Sequence, residues 1–378
     1  MSPIPITVLS GYLGSGKTTV LNHLLNNRQG RKLAIIVNDM SEVNIDAALI
    51  EQGGFSRTEE SFVTLSNGCI CCTLRDDLLL EVRRLVDQGN IDGIVIESSG
   101  ISEPIPVAQT FTYLDEDSQI DLTETTKINA MVTVIDGYRF LKDFESGESL
   151  IERQQAVDFT DVREVVDLLV DQVEFADIIL LNKIDRLTEE EKHDVIGYLK
   201  ALNPIAKLIE TTHGQVDPAE ILDVDLFDFE QAAASAGWIR ELNAEEHVPE
   251  TEEYGISSFV YKRELPFHPE RLLALIEAWP EEVVRAKGFL YLATRPEIAL
   301  LFHQAGYASN MEYAGRFESI NDRRTELVLI GIGFDQQALE AKFDACLVQA
   351  DETDWTSLSD PIPGREMYDM NFSKEVNF

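Results

Sequence analysis

The stretch ITVLSGYLGSGKTTVL, residues 6–21, joins an apolar strand to a glycine-rich turn and a helix. The turn satisfies the pattern G-x-x-x-x-G-K-[ST] in the strand-to-helix context of a phosphate loop, which disfavours an ordinary glycine turn. The glycines let backbone N–H groups approach phosphate oxygens, and the helix amino terminus adds positive potential. Lys17 is expected to neutralise phosphate charge and Thr18 to offer its hydroxyl to Mg²⁺. The predicted nucleotide contacts are Gly11, Gly14, Ser15, Gly16, Lys17, Thr18 and Thr19.

A second motif follows an apolar strand farther along the chain. ILLNKID, residues 179–185, ends in the N-K-x-D arrangement of Asn182, Lys183 and Asp185, which are predicted to read guanine. Asp185 would accept from the ring N1–H and the exocyclic amine, donors that adenine does not present there. A polar pocket of this kind discriminates by roughly 10⁴-fold, so GTP is predicted over ATP. A solvated turn is the alternative for so short a match. ETTHG, residues 210–214, is expected to complete the base pocket.

Acidic residues end three predicted strands: Glu97 in IVIESSG, Asp39 in VNDMSE and Asp136 in MVTVID. Glu97 and Asp39, with Lys17, are the predicted catalytic residues, because an edge carboxylate beside a phosphate loop holds the Mg²⁺ shell or orients water. The amide of Gly100 is expected to sense a γ-phosphate. The sequence does not rank the three carboxylates, and for Glu97 a helix cap is the alternative.

Three cysteines lie close together in SNGCICC, residues 66–72. Vicinal cysteines make strained disulfides, so thiolates of Cys69, Cys71 and Cys72 converging on a soft cation are the better use of this spacing, and Zn²⁺ is the default ion. A helix starting nearby would favour the thiolate form. Tetrahedral zinc needs a further ligand, for which Asp39 and Glu42 are the candidates. A redox switch and buried structural cysteines remain the alternatives.

The composition excludes several classes of partner. The 378-residue chain carries 31 basic and 68 acidic residues, a net charge of −37, and no concentrated basic patch, so neither nucleic acid nor an anionic membrane surface is expected to bind it. It lacks signal-peptide features and an apolar run long enough to span a bilayer, which favours a cytoplasmic location. Four cysteines fit a reducing compartment, and Cys346 is predicted to be core.

Strand and helix signals define the domain organisation. Strands at Ile4–Ser10, Leu33–Asn38, Phe62–Leu65, Gly93–Ser98, Ala130–Asp136 and Asp177–Asn182 alternate with helices at 74–88, 104–113, 158–173 and 188–201. This alternation predicts an α/β phosphate-loop NTPase domain with a mainly parallel sheet, residues 1–216. An acidic connector, 217–253, a smaller α+β domain, 254–350, and a peripheral tail, 351–378, are predicted to follow. In the second domain we expect strands at Ile256–Glu264, Gly288–Ala293 and Glu326–Gly331 and helices at 269–279 and Gln337–Val348.

These motifs carry a family resemblance. GYLGSGKTT, NDMSEVNID, SNGCICC, ESSG and NKID, with the later FVYKRELPFHPERL, RAKGFLYLATRP and DRRTELVLIGIG, together resemble the CobW-type family of GTPase metallochaperones, in particular its bacterial zinc-responsive branch. The resemblance covers both domains. It implies a GTPase whose C-x-C-C cysteines bind zinc, with Asp39 and Glu42 as further metal ligands. Many relatives also carry a histidine-rich segment, whereas the six histidines here are scattered, which argues against bulk metal storage.

The resemblance implies delivery of zinc to a client apo-metalloenzyme. Because C-x-C-C lies between NDMSE and ESSG, a γ-phosphate that orders either flank should change thiolate geometry and zinc affinity, with hydrolysis giving delivery its direction. Three alternatives remain: a small-molecule kinase, a zinc or redox sensor without delivery, and delivery of cobalt. The client and the oligomeric state, including a possible homo-oligomer, are left open.

Overall fold

The structure is a computed structural model that describes residues 3–27, 29–39, 62–66, 74–112, 120–156, 161, 163–230, 254–350, 352 and 354–362. The chain divides into two compact units, Met1–Gly237 and Trp238–Phe378. The division falls within the predicted acidic connector, whose exact bounds stay a prediction.

The first unit alternates strands and helices. Its described elements are β1 (Ile4–Ser10), α1 (Lys17–Asn26), β2 (Leu33–Asp39), β3 (Phe62–Ser66), α2 (Leu74–Gln88), β4 (Gly93–Glu97), α3 (Pro104–Thr112), β5 (Thr126–Asp136), α4 (Gly137–Phe144), α5 (Val165–Glu174), β6 (Ile178–Asn182), α6 (Glu189–Leu202) and β7 (Lys207–Glu210). The strands form one seven-stranded sheet in the order β3-β2-β4-β1-β5-β6-β7. Every neighbouring pair is parallel, which confirms the predicted α/β class.

Apolar cores lie on both faces of this sheet, as a parallel sheet requires. β4 and β6 are buried along their whole length. One core contains the apolar sides of α2 and α3, and the other contains that of α1. Because all strands run in one direction, their carboxyl ends meet at a single edge. β1 lies where the strand order changes direction, with strands 2–4 on one side and 5–7 on the other, and such switch points are where α/β sheets bind ligands.

The first part of the acidic connector packs on the first unit. Buried Asn129 in β5 holds it: its Nδ2 donates to the Ile221 carbonyl at 2.8 Å, and its Oδ1 accepts from the amides of Val224 and Asp225 at 3.0 and 2.9 Å. Phe227 and Phe229 then pack against Phe175 and neighbouring core residues.

The second unit is built on an antiparallel sheet. Its described elements are β8 (Ile256–Arg263), α7 (Pro269–Glu277), β9 (Val283–Tyr291), β10 (Ile298–Ala305), β11 (Ala308–Arg316), β12 (Thr325–Ile332) and α8 (Gln336–Asp344). The strand order is β11-β10-β9-β12-β8, with antiparallel pairing throughout. Residues from four of these strands and from α7 and α8 share one apolar core that also contains Cys346 and Ile362.

Within the second unit, an ion pair joins the predicted peripheral tail to the rest of the fold. Arg295 and Asp360, with side chains only 3% and 1% exposed, are joined by an Nε–Oδ2 distance of 2.8 Å, and the Thr294 hydroxyl donates to the same carboxylate at 2.7 Å. Ile362, two residues after Asp360 in the sequence, is also buried.

Three details differ from the sequence-based expectations. The helix predicted at 158–173 begins at Val165, because Glu164 is its cap, in a reciprocal capping box with Asp167, and forms a bridge with Ser149. The short helix α4 was not predicted. The strands β10 and β11 were also missed. β11 is largely polar and exposed and lacks the alternation that marks a half-buried strand, whereas β10 begins with an apolar run that was not assigned to a strand. No helix among the described residues is long and apolar enough to cross a bilayer.

Asp177 provides a test of the packing at the start of β6. Its Oδ2 accepts from the Met131 amide at 2.7 Å, and burial, with a smaller contribution from Asp228, raises its pKa to about 6. The folded state therefore holds this proton more tightly than the unfolded state, and the free energy of unfolding falls as pH rises from roughly 4 through 6. Asp177→Asn keeps an oxygen acceptor but carries no charge. Relative to wild type we expect it to gain about 1–3 kcal/mol between pH 4 and pH 7.5, measured by urea unfolding.

Asp177→Ala is the matched control for this prediction. Compared with Asp177→Asn, it also removes the acceptor and leaves the Met131 amide unpaired, which costs about 1–3 kcal/mol at both pH values. Relative to wild type, it should therefore show the same gain between pH 4 and pH 7.5 from a lower starting stability. A difference between Asp177→Asn and wild type that did not change with pH would contradict the assignment.

Candidate functional site

The phosphate loop lies at the carboxyl edge of the sheet, and its glycines are needed for close approach. Gly11, Gly14 and Gly16 have φ values of 137°, 78° and 110°, in the region that residues with a side chain rarely adopt. A Cβ on Gly11 would lie 2.3 Å from the Val134 carbonyl oxygen, and one on Gly16 would lie 2.4 Å from Nδ2 of Asn182. The loop is therefore pressed against the ends of β5 and β6.

Lys17 and Thr18 begin α1 directly after the loop. Lys17 is buried, and its ammonium donates to the Gly11 carbonyl at 2.8 Å. The Thr18 hydroxyl donates to Oε1 of Glu97 at 3.1 Å, and Glu97 ends β4 with only 2% of its surface exposed. The structure thus brings Lys17 and Thr18, which follow β1, close to Glu97 at the end of the adjacent strand β4.

The guanine motif is docked on the same loop. The Asn182 amide donates to the Ser15 carbonyl at 3.0 Å and accepts from the Gly214 amide at 3.1 Å. Lys183 has a left-handed backbone, φ 63°, and its ammonium donates to the Gly14 carbonyl at 2.7 Å. Asp185 follows in a 3₁₀ turn and is exposed. The two motifs therefore form one site, with the Asp185 carboxylate accessible to a ligand.

ETTHG also contacts this site. Gly214, in the segment after β7, has φ 66°, and a Cβ there would lie 2.8 Å from the Val20 amide nitrogen in α1. Its hydrogen bond to Asn182 brings the segment after β7 to the guanine motif. Thr19, in the first turn of α1, is exposed.

The three edge carboxylates have different surroundings. Glu97 accepts from Thr18, whereas Oδ2 of Asp136 is paired with the Lys183 ammonium at 2.6 Å. Asp39 is the last residue of β2, and its side chain lies outside the described residues, as do all atoms of Glu42. The predicted ligands Cys69, Cys71 and Cys72 also lie outside the described residues. Among the described residues no cluster of three or more His, Cys, Asp or Glu side chains suits a metal ion.

The residues present fit a nucleotide with Mg²⁺. The Thr18 hydroxyl and the Glu97 carboxylate are hard oxygen ligands, the type that Mg²⁺ prefers. Ser15 Oγ is buried and has no hydrogen-bond partner among the described residues, so a polar group remains available where a ligand would lie. Gly100 is covered by Leu13, because a Cβ on Gly100 would lie 2.6 Å from Cδ2 of Leu13.

Sequence reasoning missed a polar cluster behind the loop. Tyr12, the residue after Gly11, is buried, and its hydroxyl contacts Gln155 and Arg153, while Arg153 also pairs with Asp143. Tyr12 and Arg153 are 141 residues apart, and no local pattern links them. The one available signal was an aromatic residue inside a loop that is rich in glycine.

This fold and site define a phosphate-loop nucleotide-binding protein. The family model for the CobW/HypB/UreG nucleotide-binding domain matches residues 5–210, and that for the cobalamin synthesis protein CobW carboxyl-terminal domain matches residues 256–347. The chain belongs to the CobW/HypB/UreG family of GTPases, which confirms the resemblance seen in the sequence.

Several named proteins are similar over most of the chain. The zinc-regulated GTPase metalloprotein activator 1 of Dictyostelium discoideum is 42% identical over 95% of this chain and 84% of its own length. The zinc chaperone CobW of Pseudomonas aeruginosa is 29% identical over 90% of each chain. Among solved structures, the Zn(II)-bound YjiA GTPase from E. coli matches 92% of this chain and 100% of its own at 23% identity, with a TM-score of 0.43. These identities do not single out the bacterial branch.

Gly16→Ala tests the fit of the loop to Asn182. The added methyl group would lie 2.4 Å from Asn182 Nδ2 at a φ of 110°, so the loop must shift. We expect GTP affinity to fall by at least about 30-fold, equivalent to roughly 2 kcal/mol, measured by titration with a fluorescent GTP analogue. Gly30→Ala is the control, since Gly30 has φ 84° but nothing within 4 Å of the added Cβ. Equal losses in both variants would show that backbone strain alone is responsible.

Proposed function

We propose that this protein is a GTP-hydrolysing zinc metallochaperone that binds zinc at C-x-C-C and delivers it to client metalloproteins. The observation that carries the proposal is the docking of Asn182 and Lys183 on the carbonyls of Ser15 and Gly14. These contacts support a single nucleotide site formed by the guanine motif and the phosphate loop. The exposed Asp185 carboxylate would accept from guanine, and an unpaired carboxylate there disfavours adenine.

The residues around the phosphates are assigned roles from their contacts. Lys17 lies beneath the loop and would transfer its hydrogen bonds from loop carbonyls to phosphate oxygens. Backbone amides of residues 13–18 would complete the cradle. Asp136 is paired with Lys183, so its role is to position that lysine. Glu97 accepts a hydrogen bond from the Thr18 hydroxyl, which would bind the metal, and is therefore the described carboxylate assigned to the metal shell.

Mg²⁺ bound by Thr18, with Glu97 at its shell, would neutralise charge that develops on the transferring phosphoryl group. Glu97 would also hold the attacking water and accept a hydrogen bond from it. Asp39 remains the second candidate for this role from the sequence.

The zinc site is assigned to Cys69, Cys71 and Cys72, with Asp39 and Glu42 as further ligands. Three thiolates suit a soft or borderline cation. The printed names of the relatives from D. discoideum and P. aeruginosa, a zinc-regulated GTPase activator and a zinc chaperone, support zinc as the ion. Cobalt is not distinguished from zinc by donor softness.

The strand order supports coupling between the two sites. β3 ends at Ser66, three residues before the first cysteine in the sequence. Ser66 pairs with Asp39 of β2, and Val37 of β2 pairs with Glu97 of β4. β2 lies between β3 and β4, so these two strands are two strand spacings, roughly 10 Å, apart. A rearrangement of the loop after β4 on hydrolysis would be transmitted through β2 to the end of β3, which precedes the cysteines in the sequence. Shifting zinc affinity by two to three decades needs only about 3–4 kcal/mol.

Delivery in the cytoplasm to a client apo-metalloenzyme completes the proposal. The client is defined here only by its chemistry, as a protein whose vacant site binds zinc more tightly than the GDP-bound form of this protein does.

Asp185→Ala tests guanine recognition. Loss of the carboxylate removes the acceptor for N1–H and the exocyclic amine, so we expect GTP affinity to fall about 100-fold or more while ATP affinity changes by less than about threefold. Asp194→Ala, an exposed carboxylate on α6, is the control and is expected to retain wild-type GTP affinity. Retention of the wild-type GTP-over-ATP preference by Asp185→Ala would rule out the assigned role.

A Cys69/Cys71/Cys72→Ser variant tests the metal site. We expect its zinc affinity, measured by chelator competition, to fall by about three decades or more, because serine hydroxyls are poor ligands for zinc. Its GTPase rate should no longer respond to zinc. Cys346→Ser is the matched control, since Cys346 is buried in the second unit and donates to backbone carbonyls of Arg271 and Lys342.

A zinc-transfer assay separates delivery from sensing. Zinc-loaded wild-type protein with GTP should restore activity to an apo zinc enzyme faster than with a non-hydrolysable analogue. If the two nucleotides gave equal zinc affinity and equal transfer rate, a chaperone driven by hydrolysis would be wrong and a sensor would remain.

A further inference from the structure

The connection between α4 and α5 forms a structure that we name the strap, defined as residues 145–156 together with 163 and 164. Its two ends are joined by backbone hydrogen bonds: the Leu150 amide donates to the Arg163 carbonyl at 2.9 Å, and the Val165 amide donates to the Glu148 carbonyl at 3.0 Å. A bridge between Ser149 and Glu164 lies between them. The strap is therefore a closed unit, held at the base of α5.

The strap contacts the phosphate loop through Tyr12. The ring of Tyr12 is buried in an apolar cluster with Ile101, Leu150 and Leu168. Its hydroxyl donates to the Gln155 side chain and accepts from Nη1 of Arg153 at 3.4 Å. Burial raises the pKa of Tyr12, so the hydroxyl stays protonated and keeps its donor at physiological pH.

Arg153 is fixed by more than this contact. Its guanidinium donates to Asp143 Oδ1 at 2.9 Å and to Glu148 Oε2 at 2.7 Å, and it lies 6.0 Å from the centre of the Tyr12 ring. Asp143, in α4, is almost fully buried. A planar guanidinium that satisfies two carboxylates and a hydroxyl at once has little freedom, so Arg153 provides a rigid support behind the loop.

The same strap contacts the loop that follows β4. Arg163 donates to the Ile101 carbonyl at 3.3 Å and to Glu103 Oε1 at 2.9 Å. Ile101 directly follows Gly100, whose Cα faces Leu13 of the phosphate loop. The two loops that flank the predicted γ-phosphate position are thus both attached to one element.

We propose that Arg153 is a positioning residue for GTP hydrolysis, holding the phosphate loop through Tyr12 in register with the loop after β4. The inference rests on the proposed GTPase function. Arg153 does not touch the nucleotide. Its effect is on geometry, and a misplacement of about 1 Å at a reacting centre costs up to about 100-fold in rate.

A double-mutant cycle on turnover tests the proposal. Tyr12→Phe keeps the ring in its cluster and removes the hydroxyl, and Arg153→Lys keeps a charge beside Asp143 but loses the planar fork. We expect each single variant to lower kcat for GTP about tenfold, with KM changed less than about threefold, and the double variant to be no slower than the slower single variant. Thermal unfolding of each variant is measured alongside, with rates taken well below the lowest Tm.

The second unit offers a matched control. On β8, Tyr261 and Arg263 share Asp344 in a similar arrangement, with the guanidinium 4.6 Å from the ring centre. Tyr261→Phe and Arg263→Lys remove equivalent contacts and are expected to leave kcat unchanged. This control separates loss of a tyrosine–arginine contact in general from loss of the contact behind the phosphate loop.

Three results would overturn the proposal: single variants with wild-type kcat, a fall in Tm without a fall in kcat, or losses in kcat that multiply in the double variant. If Arg153→Lys fails to fold, Tyr12→Phe alone decides, since its core packing is intact. Absence of GTP turnover in the wild-type protein would instead contradict the proposed function, so the two failures are distinguishable.

Discussion

The side-chain amide of Asn182 is the interaction on which the nucleotide site depends. Asn182 is 2% exposed, and its amide contacts two other segments. Its nitrogen donates to the Ser15 carbonyl of the phosphate loop and lies where Gly16 leaves room, and its oxygen accepts from the Gly214 amide after β7. A carboxamide carries its donor and its acceptor on two separate atoms, so it can bond two backbone groups at once. Aspartate would lose the donor and leucine would lose both. The segments that follow β1 and β7 are therefore fixed to the end of β6 through this one amide.

Similar carboxylates at the sheet edge differ because their neighbours differ. Asp136 faces Lys183, and that pair orients the lysine toward the Gly14 carbonyl. Glu97 faces Thr18 and is nearly fully buried, which supports its proposed role at the Mg²⁺ shell. The sequence could not rank these acids, since each ends a strand in the same way. The ranking comes from the strand order, which is set by long-range pairing and not by any local pattern.

Much of the first unit could be predicted because its signals are local. A short stretch of sequence is enough to recognise a continuous apolar strand, a glycine with positive φ or a capping residue. β1 has the predicted bounds, and β2 ends one residue later. Strand β11 could not be predicted in the same way, since an exposed polar edge strand is stabilised by its neighbour and not by its own pattern. The contact of Tyr12 with Arg153 was invisible for a similar reason, as it joins residues brought together only by the fold.

A chain with a net charge of −37 binds a polyanionic ligand only if the local field differs from the global one. At physiological ionic strength exposed charges are screened beyond about 8 Å, so distant carboxylates contribute little at the loop. Within the site, Lys17 is buried against loop carbonyls, and the amino terminus of α1 adds its dipole. The charge of Lys17 is only weakly screened because its side chain is buried. Asp136 pairs with Lys183, whose ammonium donates to the Gly14 carbonyl, and Asp143 pairs with Arg153, which contacts Tyr12 of the loop. Neutralising these acids within the fold lets a phosphate-binding site persist in so acidic a protein, and it assigns the strap an electrostatic role as well as a mechanical one.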